Sequence, residues 1–376
     1  MNHHEHRFIE ALDVLFLRGN KLFGDPGSFG ESLVPPWPSV VAGALRSRML
    51  VDAGIDLADF ASGNSVHPEL GSPDAPGPFT VTAFQLARRR DNGTLEVFFT
   101  PPADLVLSTN EDGHPCVSSI KSVAIDKRLM TSSPLSQLPV LGMPKRCKPM
   151  KGYWLTESGW KHYINGGTPP ARDWCRSDEL WSLDHRVGVG LDTATRHVVK
   201  GRLFSMQAVA MKYGVGFLAS VSGALPPASG MLRLGGDGRA AAIHSVSYVT
   251  PEPDYDAISK SRRCRLVLAT PGIFSEGWKL PGTQKDGYFS MDGIRGHIVC
   301  AAVPRAETVS GWDMAQRKPK PAQKTVLPGT VYWMDDLEAE PNALRNLAEH
   351  GLWDRHCQDE ARRAEGFNRV WLAKWN

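Results

Sequence analysis

The sequence predicts an α+β fold, because strand-like segments and a few helical segments are mixed in both halves of the chain. The 376 residues can form two domains of ordinary size or one large domain. An apolar content of 41% and a charged content of 22% are typical of a globular protein. The 36 glycines and 28 prolines are spread along the chain and predict long ordered loops between short elements.

The first predicted elements follow the order strand, helix, strand, strand. Residues 7–18 favour a strand that ends in a turn, although their periodicity alone also allows a helix. A helix over residues 39–50 would begin with Ser39 as its N-cap. Residues 79–86 and 94–102 indicate a hairpin around an Asn-Gly turn. This order is the first part of a split β-α-β-β-α-β unit, which is ferredoxin-like.

The middle of the chain is less regular. Residues 104–180 predict a loop-rich, aromatic segment. Residues 186–210 predict a long hairpin that turns at residues 192–195, and residues 213–223 predict a further strand. A second unit with a mixed pattern begins near residue 230. Its predicted elements are strands at the start of 263–278 and over 297–304, 329–334 and 367–375, and a helix over 341–353 that ends near Gly351.

Positive charge is clustered along the chain. The formal net charge is only +3, but four segments concentrate Lys and Arg, at residues 88–90, 145–148, 260–265 and 317–324. Such clusters can neutralise phosphates and release counterions, and Trp and Tyr lie between them. The pattern favours nucleic-acid binding, with scattered solvated charge as the alternative for any single cluster.

The cysteines and the N-terminus indicate a cytoplasmic protein. None of the six cysteines has C-x-x-C spacing, which argues against a zinc ribbon and predicts free thiols. The start MNHHEH lacks the charged-then-apolar order of a targeting peptide. No apolar run is long enough to span a membrane, so we expect no membrane partner.

The stretch MLRLGGDGRA at residues 231–240 raises the question of a metal site. Polymerase-like nucleotidyl cyclases carry two glycines followed by two acids, and a metal-assisted mechanism needs both carboxylates. Here Asp237 is followed by Gly238, so the second acid is missing. We therefore predict a turn, in which glycine supplies a positive φ. Arg239 could still contact a phosphate or an acidic group.

Other motifs suggest no catalytic chemistry, cofactor or metal. GVGLDT at residues 188–193 lies within a predicted hairpin and lacks the third glycine of a dinucleotide loop. Histidine could serve RNA cleavage as an acid or base, but none stands in a recognisable catalytic pattern. The mid-chain candidates are His162, His185, His197 and His244. His185 and Arg186 instead suggest an RNA-contact pair, with imidazole stacking on a base and guanidinium gripping a phosphate.

Tryptophan is abundant, with eleven residues in the chain. Seven of them fall mostly in loops next to glycine or proline: Trp37, Trp154, Trp160, Trp174, Trp181, Trp278 and Trp312. We expect most of them to fix long loops onto the core. One or two could stack on unpaired bases.

Several segments in a fixed order carry a resemblance to a known family. They are ALDVLFLRGNKLFG, SLVPPWPSVVAGALR, LDHRVGVGLDTATRHVVKGRLFSM, LGGDGR, TPGIFSEGW, SGWDMAQRKPKP, VLPGTVYW and EGFNRVWLAKW. From residue 8 to residue 375, the chain resembles the RAMP-superfamily subunit of type III-B CRISPR (Cmr) effector complexes that holds the 5′ end of the guide RNA. The resemblance implies two ferredoxin-like, RRM-like RAMP domains with long loop insertions, predicted at residues 1–228 and 229–376.

The resemblance implies a non-catalytic role in antiviral defence. Such a subunit captures the repeat-derived 5′ tag of the crRNA and joins the large polymerase-like subunit to the backbone filament of RAMP subunits. The implied partners are therefore crRNA, the large subunit and the backbone RAMP subunit. Two alternatives stay open: a metal-independent RAMP endoribonuclease that processes repeat RNA, and a scaffold whose protein contacts matter more than its RNA contacts.

The resemblance also implies which residues meet RNA. Two cations after the first strand would face the RNA groove, the N-terminal amides of the 39–50 helix could hold a phosphate, and the long hairpin and a C-terminal loop add charge. The predicted RNA-binding residues are Arg18, Lys21, Ser39, Val40, Gly43, Arg46, His185, Arg186, Arg196, Lys200, Lys318 and Lys320.

One segment departs from the family pattern. RAMP proteins tend to have a glycine-rich loop near the C-terminus, and this chain keeps Gly366 but has Asn368 and Ala373 where glycine is expected. Asparagine tolerates left-handed backbone, so we predict that the turn survives.

Overall fold

The computed structural model describes most of the chain and divides it into two compact units that interleave in sequence. The described residues are 4–19, 29–110, 112–126, 128–143, 148–313, 316, 318–353 and 359–376. The first unit comprises Met1–Leu95, Ser177–Ser247 and Thr308–Gln323, and the second comprises Glu96–Arg176, Tyr248–Glu307 and Lys324–Asn376.

Helices are few and strands are many, in keeping with an α+β fold. The helices of the described residues are α1 (Pro38–Asp52), α2 (Leu57–Ala61), α3 (Glu157–Ile164), α4 (Tyr255–Ser261), α5 (Pro341–His350) and α6 (Glu360–Ala364). The strands up to residue 222 are β1 (Glu5–Ala11), β2 (Phe29–Gly30), β3 (Thr80–Arg89), β4 (Leu95–Phe99), β5 (Leu105–Thr109), β6 (Pro115–Ser119), β7 (Lys121–Ala124), β8 (Gln137–Val140), β9 (Tyr153–Thr156), β10 (Trp174–Arg176), β11 (Trp181–Leu191), β12 (Val198–Met211) and β13 (Val215–Ser222). The later strands are β14 (Ser229–Arg233), β15 (Ala240–Ser245), β16 (Cys264–Leu268), β17 (Tyr288–Met291), β18 (Ile294–Ala302), β19 (Glu307–Val309), β20 (Trp312–Asp313), β21 (Lys318–Pro319), β22 (Gln323–Thr325), β23 (Val331–Glu338) and β24 (Val370–Lys374).

In the first unit, β13 is the strand between β1 and β3. It is antiparallel to both, and Phe217 stands opposite Ile9 on one side and Leu86 on the other. All three side chains are fully buried. The strands β3, β13, β1, β15 and β14 lie in this order. The strand beside β1 is thus supplied by residues 215–222 and not by the predicted hairpin partner of β3.

Contacts do not follow the predicted division at residue 228. β15 pairs with β1, with Ile243 opposite Ile9, so residues 229–247 belong to the first unit. Residues 96–176 belong to the second unit, although they precede the predicted boundary. Each compact unit is built from three segments that alternate along the chain. Two domains that divide between residues 228 and 229 stay a prediction.

The predicted helix over residues 39–50 is confirmed, but its predicted N-cap is wrong. α1 starts at Pro38, and Trp37 is the N-cap residue without a side-chain hydrogen bond. The fixed φ of proline suits the first helical position, which places Ser39 inside the helix. Val41 and Leu45 on its inner face are fully buried.

The second unit centres on a five-stranded sheet. Its strands lie in the order β17, β18, β23, β16 and β24, and all neighbours are antiparallel. Helices α4 and α5 bury Ile258 and Leu344 in a core that includes Leu266 and Tyr332. The predicted end of α5 is confirmed, because Gly351 caps it with φ 81°.

In the segment predicted as loop-rich, residues 104–180, the described residues form six short strands and α3. Its strands are three to five residues long, so no period accumulates over a window that sequence analysis can use. An aromatic cluster anchors α3. The indole of Trp160 is fully buried and stacks on Phe99 at 4.9 Å, and it also contacts Trp371. The prediction that tryptophans pack onto the core is confirmed for Trp160.

The C-terminal turn survives its departure from glycine, as predicted. Asn368 has φ 59° and is only 1% exposed. Its Oδ1 accepts the Ile273 N–H at 2.6 Å, and its Nδ2 donates to the Leu352 carbonyl at 3.3 Å. The amide therefore holds two neighbouring loops together. Ala373 lies in β24, opposite Arg265, and needs no special backbone conformation.

Across the described ranges, no helix is both long enough and apolar enough to cross a membrane.

Candidate RNA interface

The predicted long hairpin is confirmed, and along its first strand exposed and half-buried residues alternate. β11 and β12 pair antiparallel from Trp181 opposite Met211 to Val189 opposite Leu203. We call these two strands and their turn the hairpin arm (residues 181–211). At the turn, the Asp192 carboxylate accepts the N–H groups of Ala194 and Thr195, and these bonds lower its pKa.

Cross-strand packing explains the glycines that suggested a dinucleotide loop. A Cβ on Gly188 would lie 2.4 Å from the ring of Phe204, and one on Gly190 would lie 2.8 Å from the Arg202 side chain. The phenyl ring therefore lies against bare backbone, which only glycine permits. The pattern serves strand pairing within the hairpin arm.

The hairpin arm has two chemically different faces, because successive residues of a strand point to opposite sides. One face carries an exposed aliphatic row: Leu183, Val187, Val189 and Leu191 on β11, with Leu203 and Val198 opposite. His185 belongs to this face. Arg186 belongs to the other, where its Nε donates to Asp184 Oδ2 at 2.8 Å. The predicted RNA-contact pair is thus split between two faces, and RNA contact by either residue stays a prediction.

The base of the hairpin arm is tied to the segment after the first strand. The Ser32 hydroxyl donates to the Gln207 carbonyl at 2.7 Å, and the Ser32 N–H donates to Gln207 Oε1 at 3.2 Å. Arg18 forms a β-bridge with Ser32 and is exposed. The structure therefore brings the predicted residue Arg18 beside the base of the arm. Lys21 lies outside the described residues, as does the side chain of Lys200 in β12.

The N-terminal end of α1 has no acid in its first turn and no side-chain cap. Ser39 and Val40 are half-buried there, and the Val40 N–H already donates to the Trp37 carbonyl at 2.9 Å. Arg46 lies over the ring of Phe79, 5.1 Å from its centre.

Gly43 lies on the exposed side of the same helix. A Cβ built there would have no atom within 4 Å. Nothing in the described part of the chain therefore requires a glycine at this position, although glycine weakens a helix interior by about 0.5–1 kcal/mol relative to alanine.

The turn predicted at residues 231–240 is confirmed. It joins β14 to β15, with φ 62° at Asp237. The Gly236 N–H donates to the Phe16 carbonyl at 2.8 Å. Arg239 pairs with Asp13 at 2.6 Å and stacks over Phe16, so its acidic partner lies in the same chain. Where the structure describes the chain, no group of three or more His, Cys, Asp or Glu residues is placed to hold a metal ion.

Lys318 and Lys320 lie on a small ladder formed by β20 and β21. Lys318 is exposed and stands opposite Asp313. The backbone of Lys320 is fixed at both ends, because its N–H donates to Gly311 and its carbonyl accepts the Ser310 hydroxyl. The exposed indole of Trp312 stands on the same ladder.

One predicted basic cluster is largely neutralised within the chain. Arg263 pairs with Asp335 through two bonds of 2.8 and 3.1 Å, and Arg262 lies 3.4 Å from Glu338. These acids come more than 70 residues later, so sequence clustering alone overstates the available charge. In two other clusters, residues 145–147 and 317 lie outside the described part of the chain.

The structure pairs one predicted histidine with an acid. His162 Nδ1 lies 3.4 Å from Asp173 Oδ2, and Asp173 is 8% exposed. The two residues belong to α3 and the turn that follows it, and that no histidine stands in a catalytic pattern stays a prediction. A histidine beside a buried carboxylate is one possible acid–base arrangement.

The chain is similar to a known protein family over nearly its whole length. The family profile described as CRISPR-associated protein (Cas_Cmr3) matches residues 7–375. One chain in the cryo-EM structure of the Type III-B Cmr-beta bound to cognate target RNA is 13% identical, with a TM-score of 0.50, over 97% of this chain and 96% of that one. A chain in the structure with target RNA and AMPPnP is 14% identical, with a TM-score of 0.49, over 97% and 95%. A search of curated proteins finds no match.

The solved structures, at such low identity, bear on the fold alone. The family match covers nearly the whole chain and agrees with the order of motifs from residue 8 to residue 375. The predicted resemblance to a type III-B CRISPR (Cmr) subunit is thus confirmed at the level of the family: the chain belongs to the Cas_Cmr3 family of CRISPR-associated proteins.

Proposed function

We propose that this protein is a non-catalytic subunit of a type III-B CRISPR effector complex that binds the 5′ tag of crRNA. The observation that carries the proposal is the hairpin arm. β2 pairs with β12 only at Ser205 and Met206, so the outer part of the arm is a two-stranded ribbon, which is marginally stable alone in water. On the arm, Val187 is 72% exposed and Val198 is 62% exposed. Such an arm gains its stability from a partner that covers it. The similar solved structures are of type III-B complexes with target RNA.

The placement of charge supports RNA as one of the partners. The side chain of Arg186 is 41% exposed and bonds Asp184 through Nε, which leaves its two Nη groups to meet a ligand. Arg18 is exposed at the base of the same arm, and Arg196 is exposed at its tip. Guanidinium groups suit phosphate, since they offer several donors in one plane. The three arginines would together follow a backbone along the arm.

Strand order supports the proposal of two ferredoxin-like domains. In the first unit, β15, β1, β13 and β3 lie side by side, with α1 connecting β1 to β3 along the chain. In the second unit, β24, β16, β23 and β18 repeat this order, with α5 connecting β23 to β24. A split β-α-β-β-α-β unit has this order, with one of its two helices present in each unit here.

We further propose that the protein joins the large polymerase-like subunit to the backbone RAMP subunits. The two faces of the hairpin arm suit contacts of two kinds. The aliphatic row offers an apolar surface to protein, and the face of Arg186 offers charge to RNA. Apolar burial and charge complementarity are the usual contributions to the two kinds of interface.

Charge reversal tests the RNA part of the proposal. The variants Arg18→Glu and Arg186→Glu should each reduce the amount of guide RNA that co-purifies with the assembled complex. Arg128→Glu is the matched control, since its side chain is 89% exposed and lies outside the predicted set. Equal guide retention in all three variants would count against the hairpin arm as the RNA site.

The alternative of a metal-independent endoribonuclease rests on His162 and Asp173. A buried carboxylate can orient an imidazole for acid–base work on RNA. The deciding assay is cleavage of repeat RNA in the presence of EDTA. Cleavage that disappears in His162→Ala and persists in His197→Ala would replace the proposed function by this one. The absence of cleavage in the wild-type chain is the result we expect.

A further inference from the structure

Trp312 differs from every other tryptophan in the chain. All eleven tryptophans lie in described residues, and the other ten are buried or half-buried, whereas Trp312 is 55% exposed. Burial of an indole against the core is favourable, as Trp160 shows. An indole held in solvent therefore lacks the cover that the rest of the chain provides for this residue type.

The ladder of β20 and β21 holds the indole in place. Trp312 stands opposite Pro319, and Asp313 stands opposite Lys318. The two strands are also held together next to Trp312, where the Lys320 N–H donates to the Gly311 carbonyl at 2.9 Å. The ring thus projects from paired backbone, and little ordering is needed when a ligand stacks on it.

The surroundings of Trp312 favour a nucleobase over a protein side chain. Tryptophans at the centre of protein interfaces are usually ringed by other apolar residues. Exposed residues close to it in sequence are Gln316, Lys318 and Pro319, and apart from proline the described residues between 310 and 324 carry no aliphatic side chain larger than alanine. The described residues of this range carry three lysines and one acid, Asp313. An aromatic ring beside clustered cations is the platform that single-stranded nucleic acid uses.

We propose that Trp312 stacks on an unpaired base of single-stranded RNA, with Lys318 and Lys320 contacting the adjoining phosphates. The inference rests on the proposed RNA binding and adds a base-stacking site, outside the hairpin arm, to it. Stacking tolerates any base, so the site holds the strand and does not read its sequence. The lysines supply the charge, and the indole supplies the flat surface.

The test uses the full chain and a 12-nucleotide oligoadenylate as the probe. Trp312→Ala should weaken binding by about 5- to 150-fold, the loss that removal of one stacked base produces, whereas Trp312→Phe should retain most of the affinity. Tyr213→Ala is the matched control, because Tyr213 is an exposed aromatic residue, at 89%, on a different turn. Its removal should leave the affinity unchanged.

A spectroscopic readout reports the contact directly. The difference in emission between the wild-type chain and Trp312→Phe isolates the fluorescence of Trp312, and stacking of adenine should quench it. Equal affinity in Trp312→Ala, without quenching, would overturn this site but leave the proposed guide binding intact if the complex still retains guide RNA. Both proposals would be overturned if the wild-type chain did not bind the oligoadenylate and the wild-type complex did not retain guide RNA. Normal RNA binding by Trp312→Ala with failed assembly would assign the indole to a protein partner instead.

Discussion

Two arginines on strands show how differently the same residue type is used in this protein. Arg265 on β16 is 7% exposed and donates to Asp104 at 2.8 Å, to the Tyr163 carbonyl at 3.1 Å and to the Lys374 carbonyl at 2.9 Å. Arg186 on β11 pairs with Asp184 at 2.8 Å, and both side chains are more than 40% exposed. The first has its donors satisfied inside the chain, and the second leaves donors for a ligand.

The buried side of this comparison is a closed network. The Tyr163 hydroxyl donates to Asp104 Oδ1 at 2.9 Å, and the Arg265 guanidinium stacks on the Tyr163 ring at 4.1 Å. Burial raises the pKa of Asp104, and the guanidinium of Arg265 opposes this rise. Burial also raises the pKa of Tyr163 well above its usual value. We call Asp104, Tyr163 and Arg265 the buried network.

The largest effect should come from breaking the buried network. Asp104→Ala leaves the Arg265 charge buried without its carboxylate, which should reduce the free energy of unfolding by about 3–5 kcal/mol. Arg186→Ala, the matched change on the exposed side, should alter it by less than about 0.5 kcal/mol. Urea unfolding of both variants measures the difference. Equal stability of the two would remove the distinction between the two arginines.

The next effect concerns Asn368, a buried amide with left-handed backbone. Asn368→Ala loses the bonds to the loops at Ile273 and Leu352. It also places alanine, which tolerates left-handed backbone less well than asparagine, at φ 59°. Asn368→Gly loses the same bonds but relieves the backbone. We expect a loss of about 2–4 kcal/mol for alanine and about 1 kcal/mol less for glycine. Thermal unfolding of the pair checks this, and a reversed order would contradict the backbone argument.

A smaller effect is expected at the glycine-rich turn. Asp237→Ala should lower the free energy of unfolding by about 1 kcal/mol, because alanine is strained at a backbone φ of 62°. Asp237→Gly should cost nothing measurable. Every catalytic activity of the assembled complex should persist in both variants, since the single carboxylate lacks the second acid of a metal site. Loss of a metal-dependent activity in both folded variants would reopen the metal site at this turn.

The smallest expected change in stability concerns Gly43, where stability and guide retention should respond in opposite directions. Gly43→Ala should raise the free energy of unfolding by about 0.5–1 kcal/mol, because the helix improves and the Cβ meets open space. The same variant should retain less guide RNA if RNA passes close to this face of α1. Ala42→Gly, one residue earlier and buried, is the control that should only destabilise. Improved stability with unchanged retention would remove Gly43 from the predicted interface.

Local patterns in the sequence predicted the local structure well. The helix before Gly351, the turn of the hairpin arm and the left-handed residue at Asn368 are each signalled by residue types at or beside that position, and all three are confirmed. Pairing across the chain could not be predicted in this way. β13 enters between β1 and β3 from more than 120 residues away from β3, and nothing near β3 in sequence indicates it.

The candidate site shows the same limit. Basic clusters are visible in the sequence, but the acids that neutralise Arg263 and Arg265 lie 72 and 161 residues away from them. The alternation of a strand separates His185 from Arg186, although the two are adjacent in sequence. Predicted roles of single residues therefore need the fold before they can be ranked.

The most direct measurement is the sequence of the 5′ ends of RNA extracted from the purified complex. A subunit that binds the crRNA 5′ tag predicts one shared 5′ sequence, followed by diverse guide sequences. The Arg18→Glu and Arg186→Glu complexes should contain less of this RNA, and Arg128→Glu should contain the wild-type amount. Heterogeneous 5′ ends in the wild-type complex would contradict tag binding as the function of this protein.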